Sequence, residues 1–147
     1  MLSKEDNVLL TQVSRGTPMG TLLREYWMPI LFSNELATGG RTMKVKLLGE
    51  DLVAFRDSSG RPALIESNCA HRGAPLYFGR NEADGIRCVY HGWKYDVTGQ
   101  CVDMPNEPAH SNFKEKVTIL AYKLQERNGL IWAYLGPREV PPPLPDL

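Results

Sequence analysis

The sequence predicts a mainly β fold, an antiparallel sandwich or barrel with a short N-terminal helix. Short runs rich in β-branched, aromatic and aliphatic residues recur from Met43 onward, and glycine-bearing turns separate them. A helical pattern occurs in one stretch only, ahead of residue 42, so strands must build most of the core.

The helix starts where Thr17 offers a capping hydroxyl and Pro18 suits a first turn. It runs into Thr21-Leu-Leu-Arg-Glu-Tyr-Trp27, and Pro29 is expected to end it. After a polar, glycine-bearing stretch at 37–41, residues 43–48 and 52–56 read as two strands joined by Gly49-Glu50-Asp51 in a hairpin. Further strands are predicted at 63–66, 86–89, 93–96, 101–104, 120–126 and 130–135. Thr98-Gly99 marks a turn between two of them, and Asn128-Gly129 is the strongest short-range hairpin signal in the chain.

There is no internal repeat, and the end, Val140-Pro-Pro-Pro-Leu-Pro145, cannot continue a central strand because proline lacks the amide donor. Three segments are therefore expected: 1–42 with the short helix packed on the domain, the β domain at 43–139, and a proline-rich linker at 140–147. A polyproline recognition ligand is the competing reading of the last segment.

At 147 residues one domain is the expectation. Lysine plus arginine equal aspartate plus glutamate at 17 each, so no net field recruits nucleic acid or an anionic membrane. The first ten residues carry acidic side chains where a secretory leader needs a basic start, and charges interrupt every apolar run long before the roughly 18 to 20 residues of a membrane span. Three cysteines, an odd count, suit a reducing compartment better than a disulfide framework, which points to the cytoplasm.

Two short pairs carry the chemistry: Cys69-Ala-His71 and Cys88-Val-Tyr-His91, sixteen residues apart. Gly73 follows the first pair and Gly92 the second. Glycine lets the backbone turn tightly beside a metal ligand, so paired ligands with paired glycines imply two matching loops. Isolated histidines would read as ordinary polar residues, but a cysteine two or three residues upstream of each argues for a metal. The spacing alone also fits structural zinc, although zinc modules usually show Cys-x-x-Cys knuckles in core-poor domains. Cys101 reads as a small buried side chain, His110 as a surface loop residue, and Arg72 either as a solvated charge or as a loop-tip cation for a redox partner.

Cys69-Ala-His-Arg-Gly-Ala-Pro-Leu76 and Cys88-Val-Tyr-His-Gly-Trp-Lys-Tyr-Asp96 together resemble the Rieske signature of aromatic-ring-hydroxylating oxygenases, of the phthalate-dioxygenase-like α-subunit type. The likeness extends to Gly79-Arg80, Cys101-Val-Asp-Met-Pro105 and Glu126-Arg-Asn-Gly-Leu-Ile-Trp132. It implies a Rieske-type β fold holding a two-iron, two-sulfide cluster, with Cys69 and Cys88 on one iron and His71 and His91 on the other. Arg72, Gly73, Leu76, Tyr90, Gly92, Trp93 and Tyr95 would surround the ligands, with Tyr90, Trp93 and Leu76 shielding the cluster from water and Tyr95 able to hydrogen-bond a ligand sulfur.

Mixed ligation has an electronic consequence. Two ferric ions and two sulfides carry a double positive charge that two thiolates cancel, whereas four thiolates would overshoot it. Rieske centres accordingly span roughly −150 to +300 mV, against about −400 mV for plant-type ferredoxins. High-potential respiratory members carry an extra cysteine in each loop and a serine after the second glycine; Ala74, Tyr90 and Trp93 stand there in this chain. The resemblance therefore implies a potential toward the low end.

Such oxygenases also need a mononuclear Fe(II) held by two histidines and a carboxylate. Only three histidines are present and two are in the pairs, so that site is expected in a catalytic domain that this chain does not include. The implied partners are a reductase or ferredoxin as electron donor and a neighbouring oxygenase subunit, in a homo-oligomer built from trimers, without nucleic acid or membrane. A free-standing Rieske ferredoxin and a colourless zinc module are the competing classes.

Overall fold

Alternation in the central strands divides the interior into two cores. In the computed structural model, which describes residues 1–146, strands β3 (Glu50–Arg56) and β4 (Pro62–Glu66) are buried on both faces. Val53, Phe55, Ala63 and Ile65 point to one side, and Leu52, Ala54 and Leu64 to the other, as the period of two requires. Full burial of a side chain such as Phe55 stabilises the fold by about 1.5–3 kcal/mol.

These strands sit in a six-stranded antiparallel sheet completed by β1 (Trp27–Phe32), β2 (Met43–Leu47), β9 (Ala121–Arg127) and β10 (Leu130–Tyr134), in the order β1-β10-β9-β4-β3-β2. A four-stranded sheet of β5 (Arg80–Glu82), β6 (Gly85–Arg87), β7 (Lys94–Tyr95) and β8 (Cys101–Asp103) is stitched in chain order. Its Ile86, Tyr95 and Cys101 join Val53, Phe55 and Ile65 in a single core cluster, so the small sheet is fastened to the large one by burial. Cys69 and Cys88 belong to that same cluster. The predicted mainly β architecture is thus the observed one.

Two helices precede the sheet. Helix α2 (Pro18–Arg24) has Thr17 at its N-cap, whose hydroxyl accepts from the Gly20 amide at 3.1 Å, with Pro18 in the first turn as expected. Helix α1 (Lys4–Thr11) was not anticipated; Ser3 caps it through the Asp6 amide, and none of its residues is buried, so no apolar stripe announced it.

The strand edges also differ from expectation. Pro29 does not end the helix, which stops at Arg24; it lies exposed inside edge strand β1, where the pairing with β10 shifts register between Pro29 and Leu31. An edge bulge is one of the few places a strand tolerates proline. The β2–β3 hairpin turns through Leu48-Gly49 rather than Gly49-Glu50-Asp51, with φ of 46° and 80°, and Glu50 pairs with Leu47. Two consecutive left-handed residues match the twist of the strands, so the two-residue turn prevails although Leu48 carries a side chain. Strand β5 was also missed, and the strand expected at 86–89 stops at Arg87.

The Asn128-Gly129 turn forms as predicted, both residues having positive φ. The proline-rich end lies against the body: Trp27 Nε1 donates to the Pro142 carbonyl at 2.7 Å, and Leu144 is buried with Trp27, Trp132 and Tyr134. Among the described residues no helix is long and apolar enough to cross a membrane.

Candidate metal centre

The two Cys–His segments form loops of the same design. After β4, the Cys69 amide donates to the Ala74 carbonyl and the Gly73 amide returns to the Cys69 carbonyl, both at 2.9 Å. Between β6 and β7, the Cys88 amide donates to the Trp93 carbonyl at 2.8 Å and the Gly92 amide returns to the Cys88 carbonyl at 3.0 Å. Each glycine is left-handed, with φ of 70° at Gly73 and 80° at Gly92, so a side chain there would strain the turn. Pro105 packs so close to Gly92 that a Cβ would lie 2.8 Å from its ring. Asn68 Nδ2 donates to the Gly73 carbonyl at 2.7 Å, and Asn106 Nδ2 to the His91 carbonyl at 3.2 Å, pinning one loop each.

The loops bring like to like. The thiols of Cys69 and Cys88 are buried in the same core cluster, close enough for Cys88 to act on the Cys69 thiol, while the rings of His71 and His91 meet edge to face with centroids 4.6 Å apart. Burial pushes the Cys69 thiol up, opposed by hydrogen bonds from the Tyr95 hydroxyl and the His71 amide. His71 is less basic than a free imidazole, chiefly because it is desolvated, with His91 and Arg72 adding repulsion. That favours the neutral ring a metal requires.

His71 Nδ1 is buried without any hydrogen-bond partner. A buried polar atom costs free energy unless something satisfies it, so a buried imidazole nitrogen without a hydrogen-bond partner suits a metal bond. Two thiols beside each other and two imidazoles beside each other suit two metal ions, each taking one kind of donor. The residues therefore fit a mixed-ligand diiron cluster.

Trp93 stacks on His71 at 4.5 Å with the rings within 7° of parallel, and both Trp93 and Leu76 are buried. Tyr95 is fully buried and its hydroxyl lies 3.2 Å from Cys69 Sγ. Tyr90, expected to shield, instead lies 63% exposed and leans on the His91 ring at 3.8 Å, because it occupies the loop tip where no second layer covers it. Arg72 is exposed at the tip of the first loop, His110 is exposed, and Cys101 is buried with its thiol toward the Asp103 carbonyl. Sequence reasoning passed over Asn68, Arg87 and Asn106; the first two directly precede a cysteine of each pair, and Asn106 is brought to the second loop only by the fold.

A profile of the Rieske [2Fe-2S] domain matches residues 26–121. The chain belongs to the Rieske iron–sulfur family. This Rieske chain is 50% identical over 147 residues to the 3-chlorobenzoate-3,4-dioxygenase oxygenase subunit of Comamonas testosteroni, covering 100% of this chain and 34% of that protein. It is 46% identical over 143 residues to the phthalate 4,5-dioxygenase oxygenase subunit of Pseudomonas putida, covering 97% and 33%. Among solved structures, the reduced complex between oxygenase and ferredoxin in carbazole 1,9a-dioxygenase superposes with a TM-score of 0.70 at 33% identity, covering 82% of this chain and 31% of that one. The Rieske chain thus spans about a third of the length of the relatives it matches. The match brings the Rieske two-iron, two-sulfide cofactor with it and removes the zinc module from consideration.

Proposed function

We propose that this chain is the electron-transfer domain of a ring-hydroxylating or O-demethylating oxygenase, with Cys69 and Cys88 on one iron and His71 and His91 on the other. The observation that supports this most is the like-with-like pairing of thiols and imidazoles on two matched loops, with His71 Nδ1 buried and unpartnered. When bound, the cluster supplies one-electron storage. The chain's own residues do the rest: Tyr95 and the His71 amide direct protons at Cys69 sulfur, Trp93 holds the His71 ring flat, and the core excludes water from the sulfurs.

The histidine rings are the outlet. They lie at the rim, partly accessible, with Nδ1 of His71 turned inward, so the opposite nitrogen can hydrogen-bond a carboxylate of a neighbouring subunit and couple an electron to a proton. A reductase or ferredoxin is the donor in this reading, a mononuclear iron in a catalytic domain the acceptor, and a trimer-based cytoplasmic oligomer the setting. The oxygenase subunits among the relatives, three times the length of this chain, favour this over a free-standing carrier.

The cluster-loaded chain should accept electrons from a reductase or ferredoxin system, followed as bleaching of its visible absorption, yet convert no aromatic acid. Hydroxylated product from this polypeptide alone would contradict the reading.

A further inference from the structure

Arg87 is the last residue of β6 and immediately precedes Cys88. Its side chain is only 17% exposed, and its guanidinium is divided among three parts of the small sheet. Nε donates to both carboxylate oxygens of Glu82 on β5, at 3.0 and 3.2 Å. Nη1 donates to the Gly92 carbonyl at 2.6 Å and to Asp103 Oδ2, at the end of β8, at 2.7 Å. Glu82 in turn receives Lys94 Nζ at 3.2 Å from β7. One planar cation therefore ties the entry of the second Cys–His loop, through its own backbone, to the glycine that closes it and to strands on either side.

The Gly92 bond is the informative one. The Gly92 amide returns to the Cys88 carbonyl, and the next carbonyl, that of Trp93, accepts from the Cys88 amide. The peptide between Gly92 and Trp93 lies between the two hydrogen bonds that shape the loop, so holding it restrains both and, with them, the direction of the Cys88 thiol and the His91 ring. A lysine could not do this, because an ammonium is a point charge without the planar fork that serves separated acceptors at once.

We propose that Arg87 is a positioning residue for the iron–sulfur centre, holding the Cys88–His91 loop in its ligating shape and placing a fixed positive charge beside Cys88. This rests on the Rieske reading above. The charge has a direction of effect. Asp103 and Glu82 balance Arg87 and Lys94, so removing the guanidinium leaves net negative charge beside the loop, and adding an electron there becomes harder.

The experiment compares midpoint potential and the reduced-state electron paramagnetic resonance spectrum of the cluster-loaded protein with those of Arg87→Gln, Arg87→Lys and Arg56→Gln. Arg56 is a suitable control. It is a buried arginine paired with Glu126 and the Leu36 and Gly60 carbonyls, at the end of β3 that pairs with Pro62, opposite the end of β4 leading to Cys69.

Arg87→Gln should shift the midpoint down and alter the spectrum. Arg87→Lys should keep the midpoint closer to the parent while still altering the spectrum, and Arg56→Gln should lose thermal stability with neither readout moved. Loss of iron from Arg87→Gln with sheet circular dichroism intact also supports the role, provided Arg87→Lys retains iron and shows the altered spectrum. Parent-like midpoint and spectrum in both Arg87 variants would overturn it, as would equal shifts in Arg56→Gln. Parent protein without iron and sulfide would overturn the Rieske reading itself, and is seen before any variant is compared.

Discussion

The Tyr95 hydroxyl accepts the Ala70 amide proton at 3.1 Å, which leaves its own proton to point at Cys69 Sγ, 3.2 Å away. A donor at a thiolate sulfur disperses the negative charge that grows on reduction, so it stabilises the reduced state more than the oxidised one. Burial first, and then the Cys69 sulfur, push the phenol's pKa up, so it stays a donor throughout the working pH range. Tyr95→Phe should therefore lower the midpoint. A difference of about 1 kcal/mol between the two redox states, modest for a hydrogen bond to a charged atom, corresponds to roughly 40 mV for one electron. Spectroelectrochemical titration measures it directly, and an unchanged or higher midpoint would refute the assigned donor direction. At this scale the sequence was most readable where chemistry demands a residue type: Cys69 and Cys88 are buried in one core cluster, the rings of His71 and His91 meet, and the Tyr95 hydroxyl reaches Cys69. It was least readable at Arg87, because a charged residue in a sequence looks solvated until the strand bearing Glu82 is known to lie beside it.

Turns decide how well the elements could be foreseen. The β7–β8 turn was legible because Asp96 and Gly99 both have local jobs: Asp96 Oδ1 accepts from the Thr98 and Gln100 amides, and Gly99 adopts φ of 85°. A Cβ at Gly99 would lie 2.2 Å from the Ile119 carbonyl, whose own amide bonds back to the Gly99 carbonyl. Gly99→Ala should destabilise the domain by about 1–3 kcal/mol from the backbone conformation, with the clash adding to it. Urea denaturation reads this, and a parent-like midpoint would show that the turn yields freely. Strands β1 and β5 escaped notice for non-local reasons. Pro29 argues against a strand unless the bulge opposite β10 is known, and β5 is three polar residues whose pairing with β6 is set by the loop between them. Helix α1 escaped because it buries nothing.

Across the molecule, carboxylates clamp the sheets at both ends. Glu82 is held below the ordinary carboxylate value by hydrogen bonds from Arg87 and then Lys94, and Glu126 by those from Arg56. For a carboxyl depressed in the folded state, the stabilisation is fully present above its unfolded value near 4.5 and is lost as pH falls through the lower folded value. Thermal stability should hold between pH 7 and 5 as far as these groups are concerned, then fall as the pH is lowered below about 4.5. Glu126→Gln should flatten part of that fall, measured by calorimetry across the range; an identical acid limb would remove Glu126 from the account. The fold class was legible because short apolar runs such as those of β3 and β4, set off by glycine-bearing turns, demand strands, whereas the order of the six strands depends on long-range pairing that no local pattern encodes.

The central claim is that two loops present paired thiols and paired imidazoles to one diiron centre. Chemical analysis of the purified red-brown protein tests it most directly: iron and acid-labile sulfide should be present in equal amounts, and Cys88→Ser or His91→Ala should abolish both. Stoichiometric zinc without sulfide, or full iron and sulfide in the Cys88→Ser and His91→Ala proteins, would contradict it.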